Sequence, residues 1–131
     1  MIQEAVIAYI KADAEIISLL GSGVNCRLVP DSELKDPTTP YAVWRVQADL
    51  GRTKGNQVNE LLLGFSIFAP TLLAAETIKR RLDYLLDKDT AIAVTASDIT
   101  VKSSWLYGGT TTYEKDTKLY HRTALYTFLY A

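Results

Sequence analysis

The last fifteen residues of the chain alternate with the two-residue period of a β-strand, and both sides of that strand carry apolar residues. One side holds Tyr120, Arg122, Ala124, Tyr126, Phe128 and Tyr130, and the other holds Leu119, His121, Thr123, Leu125, Thr127 and Leu129. A strand that is apolar on both sides needs cover on both sides. In a chain of 131 residues a helix can cover one side, and a neighbouring subunit is the candidate for the other. The pattern therefore favours an assembling protein over an enzyme.

Two long strands are predicted in the middle of the chain. In 41–50 and in 60–69, apolar residues recur at every second position, and they are Ala42, Trp44, Val46, Ala48 and Leu50, then Leu61, Leu63, Phe65, Ile67 and Ala69. The segment between them, 51–57, is polar and contains two glycines. These features predict an antiparallel hairpin with an exposed tip.

Helical periodicity marks two further segments. Residues 2–20 place apolar side chains three or four apart and stop at Gly21. After Pro70, Thr71 is placed to cap a second helix that runs to about Lys88. We also predict a short strand at 26–29, an exposed connection at 31–40, a turn or short strand at 91–96, a strand at 99–107 and an exposed loop at 108–117.

These elements predict one α+β domain spanning residues 1–131. Its expected architecture is a two-layer sandwich, in which a mostly antiparallel sheet carries two main helices on one face. The helices and the long strands have similar predicted lengths, so the two layers match in size.

Composition excludes several classes of function. Fourteen basic and fifteen acidic residues give a net charge of −1, so nucleic acid is not expected as the main partner. No apolar run approaches the roughly 18 residues of a membrane span, and the charged N-terminal segment does not resemble a secretion signal. The single cysteine, Cys26, cannot form an internal disulfide, which is compatible with the cytosol.

Residues for chemistry are sparse. Cys26 and the only histidine, His121, provide a nucleophile and a base in principle, but each falls in an apolar strand pattern without any motif around it. A zinc site would need more ligands of these types. Asp31, Glu33 and Asp36 share a polar segment that is better explained as a solvated loop than as a cation site. We therefore predict no catalytic residues, no metal and no cofactor.

Polar and aromatic residues near the two predicted loops are the candidates for contacts with partners. Both loops carry basic residues, which are typical either of a soluble surface or of polar contacts in an assembly. The predicted interface residues are Arg52, Lys54 and Asn56 at the hairpin tip, Tyr113, Lys115 and Lys118 around the second loop, and Tyr126 and Tyr130 in the last strand.

The order of segments resembles the tail completion (tail terminator, head-to-tail joining) proteins of long-tailed bacteriophages. The similar segments are LGSGVNCRLVP after the first helix, PYAVWRV and LLLGFSIFAP in the hairpin, AAETIKRRLDYLL in the second helix and HRTALYTFLYA at the end. Within them, the positions that match the pattern are Pro40 and Tyr41, then Phe65, Ile67 and Phe68, and finally Arg122 and Tyr126.

The resemblance implies a non-enzymatic α+β subunit that forms a ring, commonly of six copies, at the end of a phage tail tube. Its implied partners are further copies of itself, the tail tube protein and the head connector protein, and it is expected to stay monomeric in isolation in some cases. It would assemble in the host cytoplasm and then reside in the virion. The segments 31–39 and 52–56 vary freely in such proteins, so the resemblance does not assign which loop faces the tube.

Two alternatives remain open from the sequence. One is a small ligand-binding or enzymatic α+β domain with a pocket between helix and sheet that uses His121, Tyr126 and Cys26. The other is a toxin–antitoxin or regulatory partner, which the near-neutral charge and the missing helix-turn-helix pattern disfavour.

Overall fold

A computed structural model describes residues 2–21, 23, 26–31, 39–52, 59–88, 91–92, 94–96 and 99–131. The helices are α1 (Ile2–Lys11), α2 (Ala14–Leu20) and α3 (Leu72–Leu86). The strands are β1 (Leu28–Pro30), β2 (Tyr41–Arg52), β3 (Asn59–Ala69), β4 (Thr95–Ala96), β5 (Ile99–Gly108), β6 (Thr111–Glu114) and β7 (Leu119–Tyr130). The predicted α+β class is confirmed.

The seven strands in the described part of the chain form one sheet in the order β1-β2-β3-β7-β5-β4, and β6 also pairs with β7. Every pairing is antiparallel except that of β1 with β2. Because β3 pairs along β7 from Tyr120 to Tyr130, β5 and β6 share the other side of β7. There β5 pairs with the half from Leu125 onward and β6 pairs with the half before Thr123. The antiparallel pairing of the predicted hairpin is confirmed as β2 and β3, while its predicted exposed tip lies at 53–58, outside the described residues.

One face of the sheet forms the hydrophobic core with all three helices. The buried residues on this face alternate along β3 and β7, and they are Leu61, Leu63, Phe65, Ile67 and Ala69, then Ala124, Tyr126, Phe128 and Tyr130. Side chains of the opposite face, here called the open face, are mostly only half-buried. On the three central strands the open face consists of Tyr41, Val43, Arg45, Gln47, Ala48, Leu62, Gly64, Ser66, Phe68, His121, Thr123, Leu125, Thr127 and Leu129. The helices therefore cover the side of β7 that carries Tyr126, while the side that carries His121 belongs to the open face.

The predicted first helix, 2–20, is divided in two. Asp13 has extended backbone angles, and its side chain accepts a hydrogen bond of 3.1 Å from the amide of Ile16. Aspartate competes with the helix for backbone amides, so it favours a new N-terminus over continuation. The described residues therefore form three helices, where the sequence predicted two main ones.

Helix α3 follows its prediction closely. Thr71 is the N-cap residue, and its side chain accepts a hydrogen bond from the amide of Ala74 at 3.1 Å. The helix ends at Leu86, two residues before the predicted end. Its buried stripe, Ala75, Ile78, Leu82, Leu85 and Leu86, packs on the core face of the sheet.

Two local predictions are wrong. The segment 108–117 was predicted as a loop, but it contains β6, which extends the ladder along β7. Val46 was predicted on the buried side of its strand, yet 41% of its surface is exposed. The β2–β3 register shifts directly after Val46, and its outer edge has no neighbouring strand among the described residues. The shift also places Ala48, which was predicted on the same side as Val46, opposite Leu62 of the open face, so the alternation fails at this end of β2.

The remaining short predictions are partly tested. The strand expected at 26–29 is β1, which begins two residues later, and the ambiguous segment 91–96 ends in β4. Of the connection 31–40, residues 32–38 lie outside the described part of the chain, while Asp31 is exposed as expected.

Candidate partner interface

The two predicted partner loops leave the sheet at opposite ends. Arg52 pairs with Asn59 at the end of the β2–β3 hairpin, and Asn59 also pairs with Tyr130. Glu114 pairs with Leu119 at the other end of β7, where the turn 115–118 begins. At about 3.3 Å per residue, the length of β7 separates these two ends by roughly 35 Å. The molecule therefore presents two distant polar ends rather than one combined site.

The turn after β6 is built around Glu114. Its carbonyl oxygen accepts a 2.8 Å hydrogen bond from the amide of Lys118, and its carboxylate accepts one of 3.0 Å from the hydroxyl of Thr117. Lys118 has a positive φ of 58°, which is uncommon for a residue with a side chain. Lys115, Asp116 and Lys118 are all exposed. The turn thus holds two ammonium groups at one end of the sheet.

A row of stacked rings crosses the open face near this turn. The rings of Tyr41 and Phe68 lie 4.9 Å apart, and those of Phe68 and His121 lie 4.4 Å apart, with interplanar angles of 18° and 12°. The Nδ1 atom of His121 lies 3.7 Å from Oε1 of Glu114, while its buried Nε2 has no hydrogen-bond partner within the described residues. Burial, with a contribution from the Glu114 charge, raises the pKa of Tyr41. This row makes the open face aromatic at the end that carries the turn 115–118.

The centre of the open face contains a depression of about 140 Å³. It lies over Gly64, where a Cβ atom would come within 3.1 Å of the Leu125 side chain. Arg45 donates a 2.9 Å hydrogen bond from Nε to the side-chain oxygen of Gln47 at its rim. Ser66 and Thr123 also line it. This depression has room for a small side chain.

A second, wider groove lies on the helical side, between α2 and α3. It has a volume of about 280 Å³ and is lined by Glu15, Thr77, Arg80, Arg81 and Tyr84. The exposed Tyr84 ring lies between two cations, with the Arg81 guanidinium 4.4 Å and the Lys88 ammonium 4.2 Å from its centroid. This groove is shallow, and Arg81 is already paired with Asp13.

The outer edges of the sheet differ in how far other groups cover their backbone. On β5, the carbonyl of Ser104 accepts a hydrogen bond from the amide of Lys88, and the amide of Leu106 donates to the carboxylate of Asp87. The C-terminal end of α3 therefore blocks this edge. No such contact covers β6 among the residues described, and β1 covers β2 only from Ala42 to Trp44. Unpaired strand edges are ready templates for pairing with another chain.

The structure separates the predicted interface residues. Tyr113, Lys115 and Lys118 are exposed at the end with the turn. Arg52 ends β2 at the other end, and Lys54 and Asn56 lie outside the described residues. Tyr126 and Tyr130 are buried on the core face, with exposed fractions of 0% and 8%. These two tyrosines are therefore corrected to core residues, because the helices cover the side of β7 that carries them.

The edge of β6 is the interface candidate that the sequence did not reveal. Three β-formers, Thr111, Thr112 and Tyr113, were the available signal, but the flanking Gly108, Gly109 and charged residues favoured a loop. Gly109 is needed for this pairing, since a Cβ atom there would lie 2.1 Å from the carbonyl oxygen of Thr123.

The pocket predicted for an enzyme or ligand-binding domain does not form around the three residues proposed for it. Cys26 and Tyr126 are buried in the core, whereas His121 lies on the open face, on the other side of the sheet. His121 lines neither of the two depressions described above. No group of three histidine, cysteine or acidic residues is placed to hold a metal within the described ranges. None of the described helices is long and apolar enough to cross a membrane.

Comparison with known proteins gives one informative result. The sequence matches no protein-family model and no curated protein sequence. Among solved structures, the fold is similar to a chain in the "Virion of native gene transfer agent (GTA) particle", with a TM-score of 0.73. The alignment covers 98% of this chain and 92% of that chain, at 15% sequence identity. The two chains therefore share a fold over nearly their whole lengths.

Proposed function

We propose that this protein is a structural subunit of a phage or prophage tail, which forms a ring at the end of the tail tube. In this role it terminates polymerisation of the tube and joins the tail to the head connector. The observation that carries the proposal is the shared fold with a chain of a gene transfer agent virion. The resemblance of the sequence to tail completion proteins supports the same role.

The shape of the sheet suits a subunit that has two different neighbours along one axis. Its hairpin end and its turn end lie at opposite ends of the strands, so one end is available to the tube and the other to the connector. Contacts around a ring are heterologous, which means that each subunit offers two different patches. Each stable joint needs roughly 800 Å² of buried surface per partner.

A structural role also agrees with the placement of the few residues that are suited to catalysis. Tyr126, a buried residue of the central strand β7, donates a hydrogen bond from its hydroxyl to the Asp83 carboxylate. Cys26 is also buried, and His121 is separated from both by the sheet. In our proposal the protein assembles in the host cytoplasm and then occupies the junction between tail and head.

Deletion of the gene from an inducible phage or prophage tests the proposal. We expect unjoined heads together with tails of uncontrolled length in electron micrographs, and a plasmid copy of the gene should restore joined particles. Purified wild-type particles should contain the protein by mass spectrometry. Normal particles from the deletion strain, or particles that lack the protein, would contradict the proposed role.

The two ends of the sheet are tested separately. A variant with a shortened hairpin tip, lacking Lys54 and Asn56, should impair either termination or joining, and a Lys115→Ser, Lys118→Ser variant should impair the other step. A matched control replaces two charges on the helical surface, Lys11→Ser and Arg80→Ser, far from both ends. If tails made with the shortened tip keep normal length and still join heads, the role given to that loop is wrong.

A further inference from the structure

The edges of the sheet point to the way in which copies of this chain join. We propose that the edge of β2 at Val46 pairs antiparallel with the edge of β6 at Tyr113 in the next copy. This inference rests on the proposed function, because a ring is the assembly that such a joint would build. The partner is therefore a second copy of this chain, and the contact is a continuation of the β-sheet.

Backbone groups at both edges are oriented for this pairing. The amide of Ala42 donates to the carbonyl of Arg27, so it points away from β3, and the two-residue alternation gives Val46 the same direction. The carbonyl of Thr110 accepts a hydrogen bond from the amide of Thr123, so the backbone N–H and C=O groups of Thr110 point toward β7. By the same alternation, the backbone N–H and C=O groups of Tyr113, three residues later, point toward the outer edge of β6.

Strand directions are also compatible. β2, β3, β7 and β6 are successively antiparallel, so β6 runs opposite to β2. A copy related by simple rotation then places its β2 beside this β6 in antiparallel orientation. No inversion of the subunit is required.

Side chains on the two edges match on both faces. Val46 and Tyr113 lie on the helical side of the sheet, with exposed fractions of 41% and 50%, so pairing them would bury two apolar surfaces. With these two residues opposite each other, Arg45 of one copy faces Glu114 of the next on the open face. Cross-strand pairs of opposite charge stabilise a sheet and select its register.

The stagger between the two edges is compatible with ring closure. The row of residues that contains Val46 crosses the sheet through Leu63 and Tyr126 to Leu106, where the end of α3 blocks the edge. Tyr113 instead pairs with Tyr120, which precedes Tyr126 by six residues on β7. Six residues correspond to about 20 Å along the strands, and four strands to about 19 Å across them. This ratio gives a strand tilt of about 45°, at the upper end of the range for closed β-barrels.

Disulfide trapping tests the joint directly. Val46→Cys and Tyr113→Cys are made in separate chains, and the two proteins are mixed at high concentration under mild oxidation. In an antiparallel hydrogen-bonded pair the Cα atoms are about 5.5 Å apart, within the range for a disulfide. We expect the mixed 46–113 dimer to form roughly tenfold faster than a control dimer of Val46→Cys with Leu73→Cys, because pairing raises the effective concentration of the thiols.

Leu73 is a matched control because it is an apolar residue on α3 and is 71% exposed. The native Cys26 is buried, and the unsubstituted chain measures its background. Arg45→Glu in the first chain should slow formation of the 46–113 dimer, and Glu114→Arg in the second chain should restore it. A 46–113 rate no higher than the control rate, or equal formation of 46–46 dimers, would overturn the joint.

The outcome is independent of the test of function. If the protein is found in particles but the trapping fails, only the joint is wrong. If trapping succeeds and the deletion strain makes normal particles, the joint stands and the proposed function fails.

Discussion

The Tyr126 hydroxyl donates a 2.6 Å hydrogen bond to the Asp83 carboxylate, which connects the central strand β7 to helix α3. The Tyr126 ring is fully buried and meets Phe65 edge to face at 5.8 Å. On its other oxygen, Asp83 pairs with Lys79. Burial and then the hydrogen bond to Asp83 raise the pKa of the Tyr126 hydroxyl far above its usual value. The contact therefore keeps a proton inside the core.

Tyr126→Phe should lower the free energy of unfolding by about 1–2 kcal/mol, because it leaves the Asp83 carboxylate without this donor. Urea denaturation followed by circular dichroism measures the change. Tyr107→Phe is the control, since Tyr107 is exposed and its substitution should leave the midpoint unchanged. Equal midpoints for the Tyr126 variant and the parent would contradict the role given to the hydrogen bond.

The same residue predicts a loss of stability at high pH. The unfolded chain releases the Tyr126 proton near its ordinary pKa of 10.0, while the folded chain retains it. The stabilisation is thus complete below about pH 10 and is lost as the pH rises above that value. Tyr126→Phe should therefore show a shallower decline between about pH 10 and 11.5. Tyr41 has a raised pKa as well, but it is present in both proteins, so the difference reports Tyr126.

Asp13 predicts the opposite dependence at low pH. Hydrogen bonds from Arg81, and then from the amide of Ile16, lower the pKa of its carboxyl group. Its contribution is therefore present above about pH 4 and is lost as the pH falls through the lowered pKa. Asp13→Asn should be less stable than the parent at pH 7, and the difference should disappear in acid.

Asp13→Ala distinguishes the N-cap hydrogen bond of Asp13 from its ion pair with Arg81. Asparagine remains a good N-cap residue, whereas alanine loses the hydrogen bond to the first turn of α2 at a further cost of about 0.5–2 kcal/mol. Thermal unfolding of the two variants at pH 7 measures this step. If alanine and asparagine give the same stability, Asp13 acts through its charge alone.

Gly109→Ala should destabilise the β6–β7 pairing. Its Cβ atom would lie 2.1 Å from the carbonyl oxygen of Thr123, so the backbone must move. We expect a loss of more than about 2 kcal/mol, together with faster amide exchange in β6. Gly108→Ala is the matched control, because a Cβ atom at Gly108 meets nothing within 4 Å. Equal stability of the two variants would show that β6 does not depend on this close approach.

Lys118→Gly should stabilise the subunit. Lys118 has a φ of 58°, and a side chain in the left-handed region costs roughly 1 kcal/mol relative to glycine. Lys115→Gly in the same turn is the control, and it should be neutral or destabilising because glycine adds entropy to the unfolded chain. Under the proposed function, Lys118→Gly should nevertheless weaken whichever step the turn end serves, termination or joining, since it removes an ammonium group from that end.

The elements with strong periodicity could be predicted from the sequence. The β2–β3 hairpin and α3 have long regular patterns with clear end signals, such as Pro70 and Thr71, and they agree with the structure within two residues. The division at Asp13 could not be foreseen in the same way, because the aspartate is held by Arg81, 68 residues away in the sequence. Apolar spacing alone does not distinguish one long helix from two that share a face.

The candidate interface was harder to predict than the fold. Alternation assigned Tyr126 and His121 to opposite sides of one strand, but it did not reveal which side the helices cover. The edge at Tyr113 depends on the pairing of two segments across the turn, and the glycines around it favour a loop in the sequence. Strand order, and therefore the position of each edge, emerges only from tertiary structure.

The number of strands between the two open edges has a consequence for assembly. From β2 to β6 the sheet has four strands, counting both edge strands. Because this number is even, antiparallel pairing of β6 with the next β2 gives β2 the same direction in every copy. In the proposed assembly, copies added through these edges would all point the same way, so the collar that they form would have polarity. Its upper rim would carry the hairpin ends and its lower rim the lysine turns. One gene product would then serve as an adaptor between two unlike structures.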